Sequence, residues 1–192
     1  MIIVITGTPG VGKTRISSIL SERLRALHLD LTEVVIDEGL ILGKDDRRDS
    51  LIADLNRLSE KVQEAIEGSS RDVIIEGHYA SEVVPPGLTS YVFVLRKDPE
   101  ALKEDLQRRG FERRKVLENA AAEILDVCLI EAVDVYGLKK VCEIDVTGKR
   151  AEDVMEEIML VLNGKKEPSV GRVDWLSKLE KEGRLEKFMD YS

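Results

Sequence analysis

Four residues near the start of the sequence have the types and the spacing of a polyphosphate-binding loop. They match the pattern G-x-x-x-x-G-K-[ST] and are Gly7, Gly12, Lys13 and Thr14. Gly10 and Gly12 let backbone N–H groups turn inward and form a concave donor site for phosphate oxygens. Lysine adds a positive charge, and the threonine hydroxyl can ligate Mg²⁺. The pattern predicts that the chain binds a nucleoside triphosphate together with Mg²⁺.

The segments on either side of this loop predict a strand followed by a helix. Residues 2–5 are an apolar β-branched run, and apolar residues recur every three or four positions from Ile16 to Leu24. Four more apolar runs alternate with helical patterns, at about 33–36, 72–76, 91–95 and 141–146. This alternation predicts the α/β class, with a five-stranded parallel sheet that carries helices on both faces. Ligands bind at the C-terminal edge of such sheets, where the loop lies.

The helical patterns cover most of the remaining chain. They run over about 13–28, 50–66, 98–108, 115–136 and 151–162. Between the second strand and the second helix, residues 37–49 have no clear period, which predicts an exposed excursion. His28 falls at the end of the first helix, and this predicts a surface position for it.

A second candidate group stands at the end of the third predicted strand. Glu76 follows an apolar run, and a carboxylate at this place can organise Mg²⁺ through a water molecule. His78 could orient a water or an acceptor phosphate, or it could be a structural histidine. Lys13, Glu76 and His78 are therefore candidate catalytic residues, with His78 open between two roles.

A basic segment later in the chain predicts a lid. Residues 108–115 hold five cations in eight positions, with Gly110 as a hinge. Phosphoryl transfer requires positive charge over the moving group and the exclusion of water. A short lid that bears arginine supplies both. We therefore expect Arg109 to be a catalytic residue, with Arg113 as a lesser candidate.

Three further arginines are candidates for binding the phosphate of an acceptor. Arg96 follows the fourth predicted strand, at the ligand-binding edge of the sheet. Arg47 and Arg48 lie in the excursion between the second strand and the second helix. Each of these side chains is equally consistent with an ordinary surface charge.

Length and composition limit the classes of protein that fit. The 192 residues suit one α/β domain, and a net charge of −8 argues against strong direct binding of nucleic acid. The chain has no apolar run of about 18 residues, which predicts no membrane helix, and Met1 leads directly into a strand rather than a signal peptide. Cys128 and Cys142 lie in apolar surroundings without metal-ligand spacing, which predicts buried reduced thiols. These features together predict a cytoplasmic protein.

Several motifs together resemble the adenylate kinase isoenzyme 6 family. They are Gly7-Thr-Pro-Gly-Val-Gly-Lys13-Thr14, Glu76-Gly-His78, Val92-Phe-Val-Leu-Arg96, and Arg109-Gly-Phe followed by Lys115-x-x-Glu118-Asn119-x-x-x-Glu123-Ile124. The resemblance covers about residues 1–163 and implies a nucleoside monophosphate kinase core. It further implies a monophosphate-binding insertion at about 30–53 and a short lid at about 108–118.

The resemblance also implies ligands, an activity and a partner. The ATP ligands that it implies are Gly10, Gly12, Lys13, Thr14, Arg15 and Arg109. Thr14 and Glu76 would serve Mg²⁺, the latter through water. The implied activity is phosphate transfer between ATP and AMP, ATP + AMP = 2 ADP, accompanied by ATP hydrolysis. The implied partner is a small-subunit ribosomal protein, bound during rRNA maturation.

The sequence departs from the family pattern in two places. Glu76 and Gly77 stand where the eukaryotic members carry Asp and Tyr, which affects the arrangement around Mg²⁺. Residues 164–192 extend beyond the usual family end, and their apolar spacing predicts a C-terminal helical extension. This extension either packs on the body of the domain or binds a partner.

The sequence leaves three activities open. The leading one is the AMP kinase, in which an anionic acceptor phosphate needs no general base. The second is an ATP-hydrolysing ribosome-assembly switch without significant AMP phosphorylation, in which His78 or Glu76 places a water. The third is a kinase for a small-molecule hydroxyl group, with Glu76 as the base.

Overall fold

The computed structural model describes residues 1–45 and 50–189 of the chain. Its strands are β1 (Ile2–Thr6), β2 (Leu27–Asp30), β3 (Ile41–Asp45), β4 (Ser50–Ala53), β5 (Val73–Glu76), β6 (Tyr91–Arg96) and β7 (Val141–Asp145). Its helices are α1 (Lys13–Leu24), α2 (Leu31–Asp37), α3 (Leu55–Gly68), α4 (Ala80–Val83), α5 (Pro99–Arg108), α6 (Arg113–Ile124), α7 (Val127–Tyr136), α8 (Ala151–Leu162), α9 (Trp175–Lys181) and α10 (Glu186–Met189). Within these described ranges, no helix is both long enough and apolar enough to span a membrane. Arg47 and Arg48 lie outside the described residues, so their role stays a prediction.

Five parallel strands of the described chain form one sheet, in the order β2-β5-β1-β6-β7. Successive side chains of a strand point to opposite faces, so Ile3 and Ile5 join one apolar cluster and Val4 joins another. The first cluster includes residues of α1, α5 and α8, and the second includes residues of α2, α3, α4 and α7. The predicted α/β class, with a five-stranded parallel sheet and helices on both faces, is confirmed.

The C-terminal ends of the strands meet at one edge of the sheet. Asp30 at the end of β2 is in register with Glu76 at the end of β5, and Glu76 is in register with Ile5 of β1. The loop that follows β1 therefore begins beside the acidic end of β5. This is the edge at which ligands of parallel sheets bind.

The first helix is shorter than predicted. α1 ends at Leu24, and Arg25 takes a left-handed conformation with a φ of 53°. The N–H of Ala26 then donates to the carbonyl O of Ser21 at 2.9 Å, which closes the helix end. Because the helix stops early, His28 lies in β2 rather than at a helix end.

The second strand also differs from the prediction, because residues 33–36 lie in α2 rather than in a strand. Asp30 explains this difference. Its carboxylate accepts hydrogen bonds from the backbone N–H groups of Thr32 at 2.8 Å and Glu33 at 3.3 Å. Such a cap favours a helix over the extended conformation that the β-branched residues suggested.

β3 lies in the predicted excursion and pairs antiparallel with β4, which lies beyond it. Residues 50–53 were predicted as the first turn of a helix but form β4. α3 begins later, at Leu55, where the carboxylate of Asp54 accepts from the N–H of Arg57 at 3.1 Å. The helix cap is therefore Asp54 rather than Ser50.

The long helix predicted over 115–136 is two helices. Asp126 takes a left-handed conformation with a φ of 57° and separates α6 from α7. Its carboxylate forms an ion pair with Arg96, which favours the break. Farther along the chain, α9 and α10 pack against α6.

Arg96 ends β6 and is buried, with only 1% of its surface exposed. Its guanidinium donates to the carboxylates of Glu123 at 2.8 Å and Glu143 at 2.7 Å, and it also pairs with Asp126. Neither role predicted for Arg96, an acceptor-phosphate ligand or a surface charge, fits this position. The side chain instead joins β6 and β7 to α6 and to the start of α7.

Replacing Arg96 should strongly destabilise the fold. Arg96→Met leaves the carboxylates of Glu123 and Glu143 buried without their cation, and breaking a buried ion pair costs about 3–5 kcal/mol. Urea unfolding followed by circular dichroism measures this loss. Arg150→Met is the matched control, because its exposed guanidinium pairs with Asp153 at 2.9 Å and contributes little. Equal unfolding midpoints for the two variants would contradict the prediction.

Candidate active site

The phosphate loop joins β1 to α1 and has the backbone of a donor nest. Gly10 and Gly12 have φ angles of 98° and 104°, a region that favours glycine. A Cβ atom on Gly10 would also lie 2.8 Å from Leu106 Cδ2. α1 begins at Lys13, so the positive end of its dipole lies at the loop. The loop therefore has the geometry that the motif predicts for a phosphate site.

Lys13 extends its side chain along this loop. Its ammonium donates to the carbonyl O of Gly7 at 2.8 Å and to the carbonyl O of Thr8 at 3.3 Å. Burial lowers the pKa of Lys13 from its ordinary value, and the charge of nearby acids such as Glu76 opposes that shift. The side chain also lines the cleft beyond the loop, where its charge is available to a phosphate.

Glu76 is buried at the end of β5, with 2% of its surface exposed, and its carboxylate lines the same cleft. Glu76 Oε1 lies 3.0 Å from His28 Nε2 on the neighbouring strand β2. The hydrogen bond to Glu76 raises the pKa of His28 from its ordinary value. The predicted surface position of His28 is wrong, because this residue holds the orientation of the candidate Mg²⁺-organising acid.

His78 is half-buried and lines the cleft beside Lys13. Burial, together with the positive charges of Lys13 and Lys115, lowers the pKa of His78 to about 4. The imidazole is therefore neutral at pH 7, so one ring nitrogen can donate a hydrogen bond while the other accepts one. A neutral imidazole of this kind can orient a water molecule or an acceptor.

The predicted lid, about residues 108–118, runs from the last residue of α5 into α6, and only part of it lines the cleft. Arg109 caps the C-terminus of α5 and is exposed, as is Arg113 at the start of α6. Among the described residues, neither of these arginines lines the cleft, whereas Phe111 and Lys115 do. Lys115 is a functional candidate that the prediction missed, although it belongs to the basic run that indicated the lid.

The cleft itself has a volume of about 700 Å³, a size typical of small-molecule sites. One wall is apolar and consists of Val35, Ile36, Leu51 and Ala53. Carboxylates also line the cleft, those of Asp30, Glu76, Glu82, Glu118 and Glu131. The cleft therefore combines an apolar wall with more acidic than basic side chains among the residues that the structure describes.

The two cysteines are free. Cys142 is buried in the core, as predicted, whereas Cys128 is half-buried and lines the cleft. Burial raises the pKa of the Cys128 thiol to about 11, so the group is uncharged at pH 7.

The oxygen atoms of the cleft suit an Mg²⁺ ion that is held mainly by phosphates. The Thr14 hydroxyl is exposed in the first turn of α1, and it lines the cleft together with the carboxylates of Glu76 and Asp30. Within residues 1–45 and 50–189, no cluster of three or more acidic, histidine or cysteine residues could hold a metal by itself. Mg²⁺ normally keeps several waters and takes one or two protein ligands in addition to substrate phosphates. When bound, it would neutralise phosphate charge.

Arg15 follows Thr14 in the first turn of α1. Its side chain is exposed, and among the described residues it does not line the cleft. The structure thus brings Lys13, Thr14, Glu76 and His78 to one cleft. The contacts of Arg15 and Arg109 with ATP stay predictions.

The pKa values of the two histidines should lie on opposite sides of the ordinary histidine pKa of about 6.5. His28 should titrate above that value because of its bond to Glu76, and His78 near pH 4 because of burial. The chain has only these two histidines, so a proton NMR titration resolves both. His28→Gln should remove the upper transition alone, and two transitions near pH 6.5 would refute the described surroundings.

Comparison with known proteins finds a family match and full-length relatives. The model of a family described as "AAA domain" matches residues 3–126. The protein named "Putative adenylate kinase" from Methanocaldococcus jannaschii is 42% identical over 100% of this chain and 97% of its own length. Its namesake from Natronomonas pharaonis is 41% identical over 93% of this chain and 100% of its own length.

A comparison of folds gives the same class. Shikimate kinase from Bacteroides thetaiotaomicron superposes with a TM-score of 0.53 and 17% identity, over 85% of this chain and 98% of that one. The fold is thus shared with phosphate-loop kinases, while the sequence likeness is to archaeal proteins over their full length. The chain belongs to the archaeal adenylate kinase family that its motifs resemble, a family of phosphate-loop phosphotransferases.

Proposed function

We propose that this chain transfers the γ-phosphoryl group of ATP to AMP and so produces two molecules of ADP. The observation that carries the proposal is one cleft that is shared by the phosphate loop and an apolar wall. Lys13 lies at the loop end of this cleft, and Val35 and Leu51 belong to the wall. A mononucleotide can direct its phosphate toward the loop while its base packs against the wall. The names of the relatives support the same reaction.

The chemistry requires positioning and charge neutralisation rather than a general base. The phosphate of AMP is already anionic at neutral pH and can attack without losing a proton first. Lys13 and Lys115 line the cleft and supply positive charge, and the loop N–H groups supply more. These groups stabilise the negative charge of the transferring phosphoryl group.

We also propose how the flanking segments serve this reaction. Residues 30–53 would form the monophosphate-binding insertion, since α2 and β4 of this segment contribute the apolar wall. Residues 108–118 would form the lid. Arg109 is exposed, so it would reach ATP when this lid closes over the cleft and excludes water.

A coupled assay of ADP formation tests the proposal. Purified protein with ATP and Mg²⁺ should turn over faster with AMP than with CMP, UMP, GMP, dAMP or no acceptor. Lys13→Ala should lower kcat by about 10²–10³-fold, the loss that follows removal of one group stabilising a developing anion. Lys61→Ala is the control, because Lys61 is on the surface and pairs with Glu64 at 3.0 Å.

Two results of that assay would refute the AMP kinase. One is a rate that no monophosphate increases, which would favour hydrolysis or transfer to a hydroxyl group with Glu76 as base. The other is a Lys13→Ala variant as active as Lys61→Ala, which would show that the phosphate loop is not the catalytic site.

ATP hydrolysis is a second candidate activity, and the state of His78 favours it. A neutral imidazole beside Lys13 can accept a hydrogen bond from a water while donating one to another group. Such a water could attack the γ-phosphate when no acceptor is bound. Hydrolysis of this kind would let the chain act as an ATP-dependent switch.

Substitution of His78 separates hydrolysis from phosphoryl transfer. His78→Phe should lower ATP hydrolysis without acceptor by about tenfold or more, because phenylalanine cannot orient water. His78→Gln should keep part of the rate, because its amide retains a donor and an acceptor. Release of inorganic phosphate measures both variants. Equal hydrolysis by wild type and His78→Phe would remove His78 from the mechanism.

A protein partner for such a switch would be basic. The chain carries a net charge of −8, and Glu82, Glu118 and Glu131 line the cleft. This charge favours association with a basic protein over direct binding of RNA. The small-subunit ribosomal protein that the resemblance implies, with its role in rRNA maturation, would be a partner of this kind.

A further inference from the structure

The segment after α8 packs against α5 and α6, the two helices that the predicted lid joins. Trp175, Leu179 and Phe188 are buried against Ala120 and Ile124 of α6. Ion pairs tie the same segment to the start of α5, with Lys178 Nζ 2.7 Å from Asp98 and Arg184 Nε 3.1 Å from Glu100. We call residues 169–189 the C-terminal segment. Its packing therefore holds α5 and α6 together on the side of the domain that carries the lid.

One carboxylate connects this segment to the phosphate loop. Glu123 of α6 is buried, with 1% of its surface exposed. Its Oε1 atom accepts from the Trp175 indole N–H at 3.2 Å, from Arg96 Nε at 2.8 Å and from the Lys97 backbone N–H at 3.0 Å. Its Oε2 atom accepts from the Thr8 hydroxyl at 2.5 Å. Oε1 of Glu123 therefore receives three donors and Oε2 receives one.

Thr8 carries the connection into the loop. It is buried, its hydroxyl is bound to Glu123, and its carbonyl O accepts from Lys13 Nζ at 3.3 Å. Two hydrogen bonds, from Trp175 to Glu123 and from Thr8 to Glu123, therefore connect Trp175 with the residue whose backbone carbonyl binds Lys13. Loss of the indole N–H would leave Arg96 and Lys97 as donors to Oε1 and would remove the hydrogen bond that ties the C-terminal segment to this carboxylate.

We propose that Trp175 is a positioning residue for the phosphate loop, which it orders through Glu123 and Thr8. Docking of the C-terminal segment and binding of ATP then favour each other, because each orders the loop and α6 on which the other depends. This coupling is reciprocal, so ATP strengthens the docking to the extent that docking strengthens ATP binding. The proposal rests on the proposed function only in that the loop must bind ATP.

A purely structural role for Trp175 predicts a different outcome. Packing of the indole ring against α6 would stabilise the fold but would leave the affinity for ATP unchanged. The proposed role affects ATP and spares AMP, because the hydrogen bonds lead to the phosphate loop and not to the apolar wall. The two roles therefore differ in the nucleotide whose binding changes, not only in stability.

The emission of the wild-type chain gives the first test. Trp175 is the only tryptophan, so fluorescence excited at a wavelength that the four tyrosines do not absorb reports on its surroundings alone. Titration with ATP and Mg²⁺ should change this emission in wild type and in Thr8→Ser, which keeps the hydroxyl. Thr8→Val should still bind ATP but lose most of the change, because the bond to Glu123 is absent. An emission that ATP leaves unchanged in wild type would overturn the proposal.

The affinity for each nucleotide gives the second test, by calorimetry on the full chain. Trp175→Phe keeps a ring in the site but removes the N–H, and it should raise the Kd of ATP about threefold or more while leaving the Kd of AMP unchanged. Val161→Ala is the control, because it removes buried side-chain volume from the core at α8 and lowers stability without touching Glu123. Equal ATP affinities for Trp175→Phe and wild type would overturn the proposal.

The outcomes separate this inference from the function on which it rests. A wild-type chain that binds no ATP would refute the phosphate site itself. A wild-type chain that binds ATP, with unchanged emission and an unaffected Trp175→Phe variant, would refute only the positioning role. The emission test needs no substitution at Trp175, so it decides the matter even where Trp175→Phe fails to fold.

Discussion

A charged guanidinium inside a protein requires anionic partners. Its transfer from water without them costs more free energy than the net stability of a folded domain. Arg96 meets this requirement with Glu123, Glu143 and Asp126, which come from α6, β7 and the start of α7. The three acids must therefore converge on the end of β6. Since Glu123 also accepts from Thr8, the same charge fixes the position of the phosphate loop.

The electrostatics of the cleft follow from where each titratable group is placed. The hydrogen bond to a carboxylate stabilises His28 in its charged form, whereas burial and then the nearby lysines stabilise His78 in its neutral form. Acidic side chains outnumber lysines among the described lining residues. A polyanion is therefore held by directed donors, the loop N–H groups and Lys13, rather than by a general positive field.

The features that the sequence predicted are those built from neighbouring residues. The side chain of Lys13 donates to the carbonyl O of Gly7, only six positions earlier. A short sequence pattern is therefore enough to predict the geometry of the phosphate loop. The prediction of a strand over residues 33–36 was wrong. The helix cap provided by Asp30 outweighed the β-branched run that follows it. Trp175 and Thr8 are connected through Glu123, which lies 115 positions from Thr8, and no local periodicity encodes such a contact.

The order of the sheet also has a consequence for the way the chain reaches its fold. β1 occupies the centre, between β5 and β6, yet it is synthesised before both of them. At a ribosomal rate of about 5–20 residues per second, its partners follow by several seconds. During that interval β1 is an unpaired apolar segment that exposes two free edges. A fold assembled from consecutive hairpins leaves its strands unpaired for a shorter time than this sheet order does.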